Sequence, residues 1–183
     1  DAAIEALEKV FASINNGKNF RLEAGAGAGK TYTLVKALKH LIKSKGNILS
    51  KKNQRIACIT YTNVAKEEIM ARTDNHPVVL SETIHAFCWD LVKDFQNAIR
   101  QHIPDLSEKW RTRVDEVNDL GDRTVSYSLG FPKITASEIL LHHDDVLKLM
   151  VHLLADQKFR RIVTSRFPVI LIDEYQDTDK DLA

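Results

Sequence analysis

The sequence predicts an α/β fold: a parallel sheet with helices on both faces, interrupted by a mainly helical inserted subdomain. Three observations support this prediction. Short apolar runs alternate with amphipathic segments, a Gly/Ala-rich loop stands before one of these segments, and the alternation stops near Trp89 and resumes near Arg166. Residues 1–88 and 167–183 are therefore expected to form the sheet subdomain, and residues 89–166 the insertion, whose two ends return to the same sheet.

The elements follow from the spacing of apolar residues. Helical spacing predicts helices at 3–14, 34–42, 63–72 and about 83–99, and within the insertion at 106–117, 139–141 and 146–154. Continuous apolar runs predict strands at 20–22, 55–60, 78–80 and 168–172. A hairpin is expected around residues 123–131. The resulting order of strand, helix and strand is the one that builds parallel sheets.

Composition limits the class of protein. The 183 residues, 44% of them hydrophobic, suffice for one good core and a small second one. The 26 basic and 25 acidic residues leave a formal charge of +1, so any nucleic-acid contact must be local rather than a property of the whole surface. Cys58 and Cys88 lie in apolar surroundings and are expected to be buried free thiols. Since no apolar run approaches the ~20 residues of a membrane span, we expect a cytoplasmic protein without membrane contact.

The Gly/Ala-rich loop has the composition of a phosphate-binding loop. It follows a predicted strand and opens a predicted helix, where backbone N–H groups can surround a phosphate. Lys30 would reach the β and γ oxygens, and the Thr31 hydroxyl would bind Mg²⁺. The plain alternative is a flexible linker, but a linker would not lie between an apolar strand and a long amphipathic helix. The predicted nucleotide-binding residues are Ala24, Gly25, Ala26, Gly27, Ala28, Gly29, Lys30 and Thr31.

Two adjacent carboxylates, Asp173 and Glu174, follow the apolar run 169–172. They should lie at the carboxyl edge of the sheet, where ligands of open α/β sheets bind. Beside a phosphate loop the first acid holds Mg²⁺, and the second orients or deprotonates the attacking water. The alternative is that both acids merely favour the N-terminal dipole of a following helix. Because the phosphate loop is present, we predict Asp173 as metal ligand and Glu174 as catalytic base.

Four strings of residues together resemble the motifs of UvrD/Rep-like superfamily 1 helicases in order and rough spacing. They are 24–31, Thr60-Tyr61-Thr62-Asn63, Thr83-Ile84-His85 and Asp173-Glu174-Tyr175-Gln176-Asp177-Thr178. The acidic hexad is the most specific, and the resemblance covers about residues 20–88 and 165–178. It implies a RecA-like P-loop NTPase core that uses ATP and Mg²⁺. It also implies coupling of hydrolysis to translocation on single-stranded DNA and to duplex unwinding, in the 3′ to 5′ direction.

The resemblance also implies roles for individual residues. The phosphate, metal and base roles given above fall to Lys30, Thr31, Asp173 and Glu174. Gln176 joins the nucleotide-binding set and would couple nucleotide state to the DNA face. The DNA-contacting residues would be Thr60, Tyr61, Thr62, Asn63, Thr83 and His85. Hydroxyl and amide groups suit sugar-phosphate contacts, and the Tyr61 ring offers an aromatic surface or packs in the core.

The sequence departs from that family in two places. The family's adenine-reading glutamine precedes the phosphate loop, whereas the first glutamine here is Gln54. The chain also ends at Ala183, before the third motif and before the second motor subdomain with its arginine fingers, which is the expected partner from the same polypeptide. Losing an arginine finger costs about 10³–10⁵ in rate. We therefore expect this fragment to bind ATP and to hydrolyse it poorly.

Two other functions share part of this pattern. A helicase–nuclease component of the RecB or AddA type carries the same motifs, with its nuclease far downstream. A nucleotide-switched binding module would hold a partner without unwinding. The intact set Lys30, Thr31, Asp173 and Glu174 argues against the module.

Several other features have simpler interpretations. The run His142–Asp145 has metal-ligand residue types, but adjacent residues rarely chelate together, so Asp144 is expected to be an N-cap or first-turn acid. Trp89, Phe95 and Trp110 are expected in the core rather than stacked on bases. Lys43, Lys45, Lys51 and Lys52 are expected to form a solvated helix end and loop.

Overall fold

The computed structural model describes residues 2–23 and 29–175, with side chains from Ile4 onwards. The chain divides into two compact units. The first contains the residues up to Thr83 together with Thr164–Glu174, and the second contains Ile84–Val163 together with Tyr175. Within the described ranges, no helix combines the length and the apolar character that a membrane span requires.

The first unit is a parallel sheet packed against helices. Its helices are α1 (Ala2–Asn15), α2 (Lys30–Lys51) and α3 (Asn63–Arg72). Its strands are β1 (Ile56–Thr60), β2 (Val79–Thr83) and β6 (Val169–Ile172), numbered in chain order with those of the second unit. Both neighbours of the central strand β1 run parallel to it, in the order β2-β1-β6. The predicted α/β fold is therefore confirmed.

The core of the first unit lies around β1. All five residues of this strand are buried, which is typical of a parallel strand covered on both faces. Leu38 and Leu41 of α2 and Ile69 of α3 are also fully buried and belong to the same apolar cluster. Cys58 is buried as a free thiol, as predicted, and burial raises its pKa to about 12.

The strand predicted at residues 20–22 is wrong, because residues 18–23 form no regular element. Phe20 and Leu22 alternate with Asn19, Arg21 and Glu23, and Phe20 is 38% exposed. A strand buried on both faces needs continuous apolar character, which this segment lacks.

The second unit combines helices with a small sheet. Its helices are α4 (Ile84–Val92), α5 (Gln96–His102), α6 (Glu108–Val117), α7 (Asp145–Leu154) and α8 (Gln157–Arg166), whose last residues belong to the first unit, with a 3₁₀ turn at Ile103–Asp105. Its strands are β3 (Thr124–Ser128), β4 (Lys133–Ile134) and β5 (Glu138–His142). The helices predicted at 106–117 and 146–154 are confirmed as α6 and α7.

Two predictions for the segment from 123 to 141 are wrong. Residues 139–141 are not helical but lie in β5, where burial alternates with period two and only Ile139 and Leu141 are buried. The hairpin around 123–131 is also absent. The partner of β3 is the more distant β5, which runs parallel to it, and β5 pairs antiparallel with β4.

The helix predicted from about 83 to 99 is also wrong as a single element, because two helices, α4 and α5, occupy this segment. Thr83 instead ends β2, opposite Thr60 of β1. The break falls at Phe95, whose ring packs edge-on against Phe159 with centroids 5.2 Å apart. The side-chain amide of Gln96 next to it hydrogen-bonds both backbone groups of Val125. These tertiary contacts override the helical spacing.

The second unit has a buried hydrogen bond at its centre. Trp110 is 2% exposed, and its indole N–H donates to Asp145 Oδ2 over 2.8 Å. The core location predicted for Trp110 is thus confirmed, and Cys88 is a buried free thiol. Asp144 occupies the N-cap position of α7 without a side-chain cap bond, and Asp145 is the first-turn acid. Among the residues described, no three His, Cys, Asp or Glu side chains are grouped to hold a metal ion.

Candidate nucleotide site and nucleic-acid motifs

No side chain caps the N-terminus of α2 at its N-cap residue. Gly29 is the N-cap residue, with φ +82°, a left-handed conformation that glycine adopts without steric cost. It has no side chain to cap the helix, and the first turn contains no acidic residue. The first N–H groups of a helix have no acceptor within the helix and carry its partial positive charge. This helix end therefore suits an anionic group such as a phosphate.

The two predicted acids lie at the carboxyl edge of the same sheet. The Asp173 N–H donates to the Ile59 carbonyl over 2.8 Å, which extends the pairing of β6 with β1 by one residue. Asp173 Oδ1 in turn accepts the Glu174 N–H over 3.1 Å. Glu174 has φ +49°, an uncommon left-handed conformation for a residue with a side chain. The chain therefore makes a sharp turn immediately after β6, and both carboxylates lie at the end of this strand.

Lys30 and Glu174 meet across this edge although 144 residues separate them. Lys30 Nζ lies 3.2 Å from Glu174 Oε2, and both side chains are partly exposed, at 26% and 41%. The predicted phosphate-binding lysine, metal-binding acid and catalytic base thus lie together in the first unit. Thr31, the predicted second metal ligand, is the next residue of α2 and is half-buried.

The Asp173 carboxyl has a raised pKa. Burial is the largest cause, and the nearby carboxylates of Glu174 and Glu68 raise this pKa further. The hydrogen bond from the Glu174 N–H and the charge of Lys30 act in the opposite direction. A bound divalent cation would favour the charged form of a carboxyl in these surroundings. The oxygen donors of Asp173 and Thr31 are of the type that Mg²⁺ prefers, so the residues fit Mg²⁺.

Other predicted nucleotide-site residues lie outside the described part of the chain. They are Ala24, Gly25, Ala26, Gly27, Ala28 and Gln176.

The predicted DNA motif 60–63 lies where β1 leads into α3. Thr60 is fully buried, and its hydroxyl donates to the Thr62 carbonyl over 3.2 Å. Thr62 is the N-cap of α3, and its hydroxyl accepts the Ala65 N–H over 3.1 Å. Tyr61 is half-buried, whereas Asn63 is exposed in the first turn of α3. The two hydroxyls therefore serve the fold, although Thr62 is exposed like Asn63.

The second predicted motif, 83–85, is divided between the two units. Thr83 ends β2 in the first unit, and His85 lies in the first turn of α4 in the second. The His85 ring stacks on that of His143, with centroids 3.6 Å apart and planes at 21°. The pKa of His85 is lowered, mainly by burial and further by His143, although Asp144 acts to raise it. Its imidazole is therefore neutral at neutral pH.

A family model described as an AAA domain matches residues 7–183. The chain belongs to this AAA domain family. The match and the relatives reported below support a helicase-like P-loop domain. Such a domain implies the use of nucleotide and usually of Mg²⁺.

Three relatives of this AAA domain are longer proteins. The Gabija protein GajB of Bacillus cereus strain HuB5-5 is 42% identical over 95 residues, which cover 52% of this chain and 14% of the relative. GajB of Bacillus cereus strain VD045 is 30% identical over 185 residues, covering 92% and 33%. The ATP-dependent DNA helicase Rep of Buchnera aphidicola subsp. Baizongia pistaciae (strain Bp) is 25% identical over 204 residues, covering 85% and 29%. The chain thus spans a third or less of each relative's length.

Sequence reasoning missed two side-chain contacts beside the motifs of the AAA domain. Lys66 Nζ lies 2.7 Å from Glu82 Oε1, an ion pair that joins α3 to the end of β2. Lys66 lies four residues after Thr62, the N-cap of α3. Helical spacing could therefore have indicated that Lys66 lies on the same side of α3 as the motif residue Thr62. The stack of His143 on His85 has no such signal, since the two residues are distant in sequence and belong to different elements.

Proposed function

We propose that this chain is the ATP-binding motor subdomain of a UvrD/Rep-like superfamily 1 DNA helicase. The parent protein couples ATP hydrolysis to 3′ to 5′ translocation on single-stranded DNA and to unwinding of the duplex ahead. One observation carries the proposal: Lys30 at the N-terminus of α2 lies against Glu174, and Asp173 is beside it at the carboxyl edge of the sheet. The four motifs that resemble this family support DNA as the substrate and 3′ to 5′ as the direction of translocation.

Each residue at this edge has a separate task in hydrolysis. The N–H groups at the start of α2 and the Lys30 ammonium bind the β and γ phosphates. Thr31 and Asp173 would hold Mg²⁺, whose charge would offset that of the phosphate oxygens. Glu174 orients the attacking water and accepts its proton. To reach the phosphates, Lys30 would exchange its contact with Glu174 for one with the phosphate oxygens.

The DNA-binding part of the proposal depends on the motifs 60–63 and 83–85. Asn63 is exposed and offers an amide to the sugar-phosphate backbone. His85 is half-buried, and its imidazole would contact the backbone through the part of the ring other than the shielded Nε2. Thr60 contributes indirectly, because its buried hydroxyl fixes the turn that leads into α3. Gln176 follows the catalytic acids in sequence and would transmit nucleotide state to the DNA-contacting residues.

A first experiment tests the nucleotide site. Binding of fluorescently labelled ATP and ADP would be measured with and without Mg²⁺ for the wild type, Lys30→Ala and Lys36→Ala. Lys36 is an exposed lysine on the same helix and serves as the matched control. We expect Mg²⁺-dependent binding that Lys30→Ala weakens at least tenfold and Lys36→Ala leaves within twofold. Equal binding by wild type and Lys30→Ala would refute the proposed phosphate site.

A second experiment tests the motor. The parent protein would be assayed for ATP hydrolysis with and without an oligothymidylate, and for unwinding of duplexes that carry either a 3′ or a 5′ single-stranded tail. We expect stimulation by the oligonucleotide and unwinding of the 3′-tailed duplex. Hydrolysis that single-stranded DNA does not change would contradict the helicase assignment and favour a nucleotide-switched binding module. Unwinding of only the 5′-tailed duplex would contradict the direction alone.

A further inference from the structure

Four aromatic rings form a continuous row in the second unit. His85 stacks on His143, the Tyr127 ring lies 5.8 Å from the His143 ring, and the Trp89 ring meets Tyr127 edge-on at 5.0 Å. His85 and Trp89 are four residues apart on α4, so both face the same way from the helix. The row begins and ends on α4 and includes one residue of β3 and one of the turn before α7.

The His85 ring is held by stacking on His143. Its Nε2 is shielded from solvent and has no hydrogen-bond partner in the part of the chain that the structure describes. A buried imidazole nitrogen is usually satisfied by a donor or acceptor, which would also fix the ring's orientation. Here the face-to-face contact with His143 is the interaction that sets this orientation.

His143 itself is anchored from two sides. Its carbonyl accepts the Val146 N–H over 3.3 Å at the start of α7. Its ring lies between those of His85 and Tyr127, and Trp89 packs behind Tyr127. A ring with this support can restrain its neighbour His85, which as a whole residue is half-buried.

We propose that His143 is a positioning residue for nucleic-acid binding: it holds the His85 ring by stacking in the orientation in which the imidazole contacts the backbone of single-stranded DNA. The inference rests on the proposed function and names a residue outside the four motifs. Fixing a side chain before binding removes an entropic cost that would otherwise oppose the contact. Loss of the stack should therefore weaken binding roughly three- to tenfold.

The test compares the affinity of the protein for a fluorescently labelled oligothymidylate, measured by anisotropy at constant salt, among several variants. His143→Ala and His143→Leu remove the stacking face, while His143→Phe keeps it. His152→Ala is the matched control, because His152 also stacks on a histidine, His102, at 5.2 Å and 14°. We expect a three- to tenfold loss for the first two variants and less than a twofold change for His143→Phe and His152→Ala.

A double-mutant cycle separates positioning from general stability. If His143 acts through His85, then His85→Ala together with His143→Ala should bind no more weakly than His85→Ala alone. Additive losses, or wild-type affinity in both His143→Ala and His143→Leu while His85→Ala is impaired, would overturn the inference and leave the proposed function standing. Wild-type protein that fails to bind the oligonucleotide would overturn both. Because His143→Leu and His143→Phe both fill the space, the comparison does not depend on His143→Ala being stable.

Discussion

Lys30 Nζ lies 3.2 Å from Glu174 Oε2, so the predicted phosphate-binding cation is paired with the predicted catalytic base. The pair joins the start of α2 to the turn after β6. Under the proposed function, Lys30 would exchange this anionic partner for the phosphates when a nucleotide binds. Nucleotide binding would then remove the lysine from the predicted base.

Replacement of Glu174 should separate nucleotide binding from hydrolysis. We expect Glu174→Gln to bind ATP as well as the wild type or up to about fivefold more tightly, because a partly exposed ion pair contributes only about 0.2–1 kcal/mol. Hydrolysis should fall by about 10²–10⁴, the usual contribution of a general base. Titration calorimetry and a phosphate-release assay would measure both, with the exposed Glu67→Gln as control. Loss of ATP affinity in Glu174→Gln would show that Glu174 does not compete for Lys30.

Asp173→Asn should stabilise the protein while abolishing its metal response. The pKa of Asp173 is raised in the folded state, so folding favours the protonated form. That stability is present at low pH and is lost as the pH rises through the folded pKa, leaving a destabilising charge at pH 7. We expect Tm to rise by about 1–3 °C in Asp173→Asn, a small change because the carboxylate is partly solvated.

The same melting experiment, repeated with Mg²⁺ and ADP, tests whether Asp173 is a metal ligand. Mg²⁺ with ADP should raise the Tm of the wild type and leave that of Asp173→Asn unchanged, because the variant lacks a charged ligand. Asp94→Asn, an exposed acid, should behave as the wild type in both respects. A lower Tm in Asp173→Asn than in the wild type would contradict the assigned cause of the raised pKa.

The lowered pKa of His85 predicts a loss of stability in acid. The ordinary value is 6.5, and the folded value lies below it. The unfolded chain therefore binds a proton first, and stability falls as the pH drops below about 6.5 until the folded protein is also protonated. Urea unfolding at pH 7.5 and 5.5 should show a larger loss for the wild type than for His85→Phe, which keeps the stack on His143 without a titrating group. Equal losses would contradict this prediction.

Thr62 should matter for stability more than for DNA binding. Its hydroxyl caps α3 by accepting the Ala65 N–H, and removal of such a cap costs about 0.5–2 kcal/mol. We expect Thr62→Ala to lower the free energy of unfolding by that amount and Thr62→Ser to retain most of it. Oligonucleotide affinity, measured where both variants are fully folded, should stay within about twofold of the wild type. A large loss of affinity in Thr62→Ser would assign the threonine to the DNA contact instead.

The hydrogen bond between Trp110 and Asp145 should contribute to the stability of the second unit. Asp145 is 6% exposed, and its Oδ2 accepts both the Trp110 indole N–H and the His142 N–H. In Asp145→Ala both donors lose this acceptor, which should cost about 1–3 kcal/mol. Lys148→Ala, which removes a 3.9 Å ion pair with the same carboxylate, should cost far less. Chemical unfolding followed by tryptophan fluorescence would compare them.

The sheet of the first unit was predictable because β1 and β6 are almost wholly apolar and β2 begins with the apolar pair Val79 and Leu80. β1, β2 and β6 all appear at the predicted places. The apolar run 139–141 is too short for its periodicity to separate a strand from a helix, and its pairing with β3 decides the outcome. The break between α4 and α5 depends on contacts of Phe95 and Gln96 with distant residues, which local spacing cannot predict.

The location of the candidate site at the carboxyl edge of the sheet was predictable, but its side-chain contacts were not. Because parallel strands end at one edge, the sequence placed Asp173 and Glu174 near the phosphate loop. The direct contact between Lys30 and Glu174 could not be predicted, since it depends on the left-handed turn at Glu174. The internal roles of the Thr60 and Thr62 hydroxyls likewise follow from local geometry, and the residue types alone suited DNA equally well.

Gln96 stands where a further strand could pair with β3. Its amide oxygen accepts the Val125 N–H over 2.7 Å and its amide nitrogen donates to the Val125 carbonyl over 3.1 Å, as a neighbouring strand would do. β3 is an outer strand of its sheet, and outer strands tend to recruit other chains. A single side chain thus blocks that recruitment at Val125, and a glutamate there would keep one bond and lose the other. One amide group therefore occupies both backbone hydrogen-bonding positions of the β3 edge at Val125.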